Sequence, residues 1–316
     1  MDSIALILPD FLIIAIGAAL ARLSWFGADF WKSTEKLVFY VLFPPMLFTS
    51  ISTSALSLGS AAAFLAAGLA LFVGAAAAAW CVRLFVKADG VTHASVFHCG
   101  FRFNTYFAFA VCSRLLGDGG TALLAMLVAF WVPLSNTLAV TALANAVAKQ
   151  SGASGSGRRS GWQKTALAVA KNPLIIATVL GLLFNLTGAK LPQPAMLLLG
   201  NLGKAALAMG LLCIGAGLRF GSLKRDWKLI GAACIERLAV VPAIALAASI
   251  AAGLAPLPAA VLILFGALPT AQSCFVMTAS MGGNAPIVAN VTTVQTVAAM
   301  ATLPFWIFIV HAATGL

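Results

Sequence analysis

The stretch Gly100-Phe-Arg-Phe-Asn-Thr-Tyr106 puts Arg102, Asn104, Thr105 and Tyr106 inside an apolar run from Ala94 to Leu116. A guanidinium has a planar fork that suits a carboxylate in two-point contact. The amide and the hydroxyls add orienting hydrogen bonds. A second polar interruption, Gly266-Ala-Leu-Pro-Thr-Ala-Gln272, lies inside the run from Leu257 to Met281. There Pro269 removes a backbone donor and breaks the helix, and Thr270 and Gln272 stand beside the break. Broken helices expose new N-termini, whose positive ends attract anions. At about 1.5 Å per residue both interruptions fall near mid-bilayer depth. Two interrupted helices meeting at the midplane are how many secondary transporters form a binding site. A kink that serves packing alone is the competing reading.

Other residues are weighed the same way. Arg102 either faces a cavity, or snorkels to the cytoplasmic interface, or pairs with an acid such as Glu236. Asn136, in Pro133-Leu-Ser-Asn136, is retained as a site residue. Glu236 and Arg237 adjoin, so on a helix they point about 100° apart and serve different partners, as structural groups do. Asp10 is either a proton-titrating group or, the reading preferred, an outer-interface residue. Lys204 is placed near the outer end of its span. Asn290, Thr292, Thr293, Gln295 and Thr296 read as interhelical hydrogen-bonding groups. The six cysteines are scattered singly with no CxxC spacing, and the histidines His93, His98 and His311 are isolated. Small buried hydrophobes are the reading for the thiols, and no metal site is expected.

Composition sets the class. The chain is 62% hydrophobic and 9% charged, with a mean hydropathy of +1.03. Soluble domains carry about a quarter charged residues. An all-α polytopic membrane protein follows, because only helices or closed barrels satisfy the backbone in lipid and no period-2 pattern appears. The net charge of +11 needs no nucleic acid, since the basic residues lie in short loops, as the positive-inside rule expects. Asp2, and no Lys or Arg, precedes the signal-peptidase-like Ala19-Leu20-Ala21, so the first segment is read as a retained span.

Ten apolar segments can be drawn, at 4–21, 37–54, 58–82, 94–116, 120–147, 172–188, 193–218, 229–253, 257–281 and 285–313. Counted in chain order, the first eight connecting loops hold 3, 0, 2, 1, 5, 1, 4 and 0 basic residues. The alternation places both termini outside and the loop between spans 5 and 6 in the cytoplasm. That loop contains Ser151-Gly-Ala-Ser-Gly-Ser-Gly157. No strand precedes these glycines and no Gly-Lys-Ser/Thr follows them, so they form a flexible linker rather than a phosphate loop.

The linker divides the chain into a first five-helix repeat at 1–147, a basic connection at 148–171 and a second repeat at 172–316. Because five is odd, repeated halves must be inverted. Internal likeness supports them. Leu12-Ile-Ile-Ala15 with Gly17 matches Leu174-Ile-Ile-Ala177 with Gly181, and Gly100 precedes Asn104 as Gly266 precedes Thr270.

Arg102-Phe-Asn-Thr-Tyr106, Pro133-Leu-Ser-Asn136, Gly215-Ala-Gly-Leu218, Leu268-Pro-Thr-Ala271 and Thr302-Leu-Pro304 together resemble the auxin efflux carrier family, over essentially the whole chain. Its bacterial members include malonate and other organic-acid permeases. The resemblance implies crossed broken helices 4 and 9, as in bile-acid/sodium symporters and sodium/proton antiporters, and an elevator movement. It places Asn104 and Pro269 at the crossing, with an organic anion as substrate. It also implies a scaffold and homodimer face from spans 1, 2, 6 and 7, and a moving part from spans 3–5 and 8–10. Two departures stand out. Many members carry a proline where this chain reads Ala205-Ala-Leu-Ala-Met-Gly210, and the long hydrophilic loop of the plant hormone carriers is missing.

The expectation is thus a secondary transporter of small mono- or dicarboxylates such as malonate, in a bacterial-type cytoplasmic membrane, with lipid as its surroundings. No cofactor is implied, and sodium or proton coupling stays open. A sodium-coupled symporter of larger organic anions and an anion channel are the alternatives. A membrane enzyme would need clustered acids, a metal motif or a nucleophile–base pair, and the sequence offers none.

Overall fold

The computed structural model describes residues 3–23, 25–53, 58–150, 173–189, 191–219 and 226–316, and every regular element among them is helical. Most of the linker expected at 148–171 lies outside the described residues. Among the described residues five helices are long and apolar enough to cross a membrane: Ala62–Phe85, Thr105–Gln150, Gln193–Ala216, Trp227–Ala251 and Ala285–Thr314. Shorter apolar helices occur at Leu8–Leu20, Pro173–Thr187 and Pro256–Gly266. The chain is a polytopic membrane protein.

In chain order the helices are α1 (Ser3–Leu20), α2 (Ala28–Leu37), α3 (Phe43–Ser52), α4 (Leu58–Phe85), α5 (Gly90–Phe97), α6 (Thr105–Gln150) and α7 (Pro173–Thr187). They continue with α8 (Gln193–Ala216), α9 (Trp227–Ile235), α10 (Val241–Ala251), α11 (Pro256–Gly266), α12 (Ser273–Ser280) and α13 (Ala285–Thr314). Two π-helical stretches, Val38–Leu42 and Glu236–Val240, join α2 to α3 and α9 to α10. Each stands just before proline, Pro44-Pro45 or Pro242, whose missing N–H forces the ladder to skip a residue. Lys32 and Lys36, expected in a loop, belong to α2, which is amphipathic enough to stay helical while carrying them.

Both interrupted segments are broken where the polar residues stand. Between α5 and α6 the chain leaves the helix over 98–104, and between α11 and α12 over 267–272. Further on, α6 bends at Gly117, at φ 62°, and the chain turns after α12 through Gly282, at φ 77°. Both positions lie in the left-handed region that glycine enters at least cost.

The contacts divide the chain into two compact units. Unit 1 comprises 1–58, 105–129 and 166–217, and unit 2 comprises 59–104, 130–165 and 218–316. In unit 1, α1 packs on α8, and α3 packs on α7 and α8. Glycine makes the first of these contacts. A Cβ on Gly215 would overlap the Ile14 carbonyl, and one on Gly17 the Leu212 carbonyl. Such close approach replaces hydrophobic driving force with dispersion between backbones. Unit 1 also holds a partly buried ion pair, in which the exposed Arg114 donates from Nη2 to Asp10 Oδ1 at 2.5 Å. This corrects two expectations. Asp10 is fully buried rather than at an outer interface, and Arg114, the basic residue counted above for the loop between spans 4 and 5, is helical. A carboxylate in lipid needs a cation, and Arg114 supplies it.

In unit 2, α10 packs on α11, while α5, α9, α11 and α12 all touch α13. Its core is aromatic around Trp131, whose ring meets Phe72 edge-on at 5.1 Å and Phe265 at 4.7 Å. The indole N–H donates to Phe101 O at 2.7 Å, which ties α6 to the first break.

Candidate functional site

The two breaks of unit 2 are bound to each other. The main-chain N–H of Asn104 donates to Pro269 O at 2.9 Å. Thr270, fully buried, donates its hydroxyl to Cys99 O and also approaches Arg102 O at 3.1 Å. These bonds satisfy polar backbone that the helices release at this depth, as a membrane interior requires. Phe103 and Phe265 close the apolar side of the junction, with ring centroids 4.4 Å apart.

Arg237 completes the junction. Its side chain is fully buried, and it donates to three carbonyls: Leu268 O at 2.8 Å, Gly100 O at 3.3 Å and Phe265 O at 3.3 Å. One guanidinium therefore holds the first break and also binds carbonyls at and just past the C-terminal end of α11, where the dipole is negative. Gln295 acts similarly from α13. Its Oε1 accepts from Thr270 N at 3.0 Å and its Nε2 donates to Ala233 O at 3.0 Å. Sequence reasoning placed both residues among structural groups and did not foresee that they fasten the breaks. The available signal was an arginine inside an apolar helix, which needs a fixed set of acceptors.

Arg102 is placed differently. It is half-buried, with Nη2 donating to Ser273 Oγ at 3.0 Å and Nη1 set 3.0 Å from Met277 Sδ. Among the described residues it has no carboxylate partner, so the suggested pairing with Glu236 is not found. Ser273 is the first residue of α12. The guanidinium and the positive end of that helix thus converge, with the half-buried Gln272 at the same end. Asn104 and Pro269 are buried in the junction. Asn136, in α6, is half-buried within unit 2. Thr105 and Tyr106 begin α6 and belong to unit 1, where the Tyr106 ring packs on Phe43 at 5.2 Å and against Gly210. The structure therefore gathers Arg102, Asn104, Pro269, Thr270 and Gln272 in unit 2.

The family model for membrane transport proteins matches residues 2–307. The chain belongs to this family, the auxin efflux carrier family. No curated protein matches the chain. Membership makes this a membrane transporter. The matched range contains both breaks and every residue of the junction.

One group of metal-ligand types was missed by spacing alone. His98, Cys99 and Cys274 are buried with their ligand atoms all within 4.8 Å of one another. They lie 176 residues apart in sequence at the extremes, 98 to 274, and meet only because the breaks meet. His98 Nε2 is 2.9 Å from Thr278 Oγ1, and the Cys99 thiol faces Ser95 O at 3.8 Å. These contacts knit the group into the protein as a polar cluster beside the junction.

Proposed function

We propose that this auxin efflux carrier family member is a secondary transporter of small organic anions, mono- or dicarboxylates such as malonate. The observation that carries the reading is Arg102: a half-buried guanidinium without an acid partner among the described residues, held at the N-terminal end of α12. A carboxylate can take the two-point contact that Ser273 and Met277 fill only partly. The helix end adds its dipole. Asn104 and Gln272 supply orienting amides, and Thr270 and Pro269 fix the backbone that presents them. Asn136 is assigned to the same path.

The interleaved division of the chain supports an elevator mechanism. Unit 1 collects 1–58 and 166–217, the stretches of spans 1, 2, 6 and 7, as a scaffold and homodimer face. Unit 2 collects span 3, the first break, most of span 5 and spans 8–10, as the moving part, while 105–129, the rest of span 4 and the start of span 5, groups with unit 1. Two inverted five-helix repeats are consistent with the paired breaks, each followed by a positive-φ glycine. Loop charge favours a cytoplasmic membrane with both termini outside.

The test is a competition measurement. Purified protein in detergent is equilibrated with labelled malonate, and unlabelled mono-, di- and tricarboxylates and bile acids are added. Displacement by small carboxylates supports the reading. Displacement by bile acids alone favours a symporter of larger anions.

A further inference from the structure

Unit 2 contains a second constellation that the anion site does not use. Glu236 is only 5% exposed, and its Oε1 has no hydrogen-bond partner among the described residues. His93 is 8% exposed, and its Nε2 also has none. Both line one small cavity with Val82, Val96, Phe97 and Ala233, with room for about a single water. Two orphaned titratable atoms facing one water-sized space are costly unless something occupies it.

We propose that Glu236 and His93 form a proton-binding site, with the carboxyl of Glu236 as the group that gains and loses the proton. Arg237 is adjacent in sequence, but its guanidinium is committed to the carbonyls of Gly100, Phe265 and Leu268, so it does not form an ion pair with Glu236. A bare carboxylate there lacks the donors that burial demands, whereas the acid form becomes a donor itself. Its proton has an acceptor at hand in His93 Nε2, through one water. The other charged or titratable groups facing the pair are few. Arg83 lies over the Trp80 ring, which meets His93 edge-on at 5.6 Å, and the Cys99 thiol lies within electrostatic reach of Glu236.

The lining excludes an alkali-ion site. Hard cations take about six oxygen ligands, and apart from Glu236 and His93 the cavity is lined by Ala, Val and Phe. The position also suits coupling. His93 is one turn from Asp89, the exposed N-cap of α5, so the proton has a short route from the loop. At the other end, Glu236 packs on the first break so closely that a Cβ on Gly100 would sit 2.6 Å from Oε2. Charging or neutralising Glu236 changes the field beside the same backbone that Arg237 holds. Such a π-helical position inside a span is a frequent seat of function. A coupling role rests on the transport reading above, whereas the proton site itself does not.

The experiment is infrared difference spectroscopy on the full chain in liposomes as pH is stepped, with malonate uptake measured in the same vesicles. Wild type is expected to show the C=O stretch of a protonated carboxyl that fades as pH rises. E236Q loses that band, and H93Q shifts its midpoint. Wild type without the band, or E236Q retaining it in full, overturns the proposal. Amide bands in the same spectra establish that each variant is folded, and E236D, which keeps a carboxyl, is expected to restore a band. A Glu236-dependent band without malonate uptake removes the carboxylate reading and leaves the proton site standing. Uptake without the band does the reverse.

Discussion

Arg237 Nε donates to Leu268 O at 2.8 Å, joining the π-helical stretch after α9 to the second break. Through Nη1 the same side chain reaches Gly100 O in the first break. Two segments that each abandon the helix inside an apolar run are thereby held in one arrangement by a single buried cation.

Removing that cation leaves three buried carbonyls to find other partners. Arg237→Met is expected to cost about 3 kcal/mol or more, since hydrogen bonds to charged groups are worth about 1.5–3 kcal/mol each. Thermal unfolding in detergent reads the loss. Arg237→Lys, with a point charge in place of the fork, is expected to fall between the two. An unchanged midpoint for R237M would show that the carbonyls need no cation.

Close backbone contact in unit 1 gives a second expectation. Gly215→Leu forces a side chain into the Ile14 carbonyl and separates α1 from α8. The cost is about 1–3 kcal/mol or more, as for other overpacking changes. Gly200→Ala, at a position where a Cβ meets nothing within 4 Å, is the matched control and is expected to be neutral or slightly stabilising. Size-exclusion profiles of the two proteins, compared after heating, separate them.

Much of this was legible in the chain. Polar residues in apolar runs marked both breaks, and proline explains the second one directly. The first break has no proline, and its cause is long-range: carbonyls of 99, 100 and 102 are satisfied by Thr270 and Arg237. No local pattern encodes such partners. The Asp10–Arg114 pair was hidden for the same reason, because 104 residues separate the two. The cluster of His98, Cys99 and Cys274 was invisible to spacing rules, which look for ligands close in sequence. The helical character of the apolar runs was readable because a lipid interior leaves the backbone one local solution.

Asp89 supplies a pH-dependent expectation outside the spans. Hydrogen bonds from the Thr92 side chain and main-chain N–H, with a further one from Val91 N, hold its carboxyl below the usual carboxylate range. A depressed value means that the stabilisation is present above the unfolded pKa of about 3.9 and is lost as pH falls through the folded value. Asp89→Ala is expected to cost about 1 kcal/mol near neutrality, the usual worth of an N-cap. Its difference from wild type shrinks under acid conditions below about pH 4. Asp89→Asn keeps most of the capping and loses the pH dependence. Hydrogen exchange across α5 as a function of pH checks all three.

At the anion site, Arg102→Met is expected to weaken carboxylate binding by about tenfold to a hundredfold, the worth of about 1.5–3 kcal/mol in a charged hydrogen bond. Arg102→Lys retains the charge without the fork and is expected to recover only part of the affinity. Equilibrium binding of labelled malonate to the three proteins gives the comparison. Equal affinity in R102M would remove the guanidinium from the site.

The most direct measurement is uptake of labelled malonate, at graded concentrations, into liposomes containing wild type or Asn104→Ala. The bond that joins the breaks at this residue comes from the Asn104 main chain to Pro269 O, so the substitution leaves it in place. The account predicts saturable uptake by wild type and its loss in a variant that elutes and inserts as wild type does. Saturable uptake of the same size in N104A would contradict the placement of the site at the junction of the breaks.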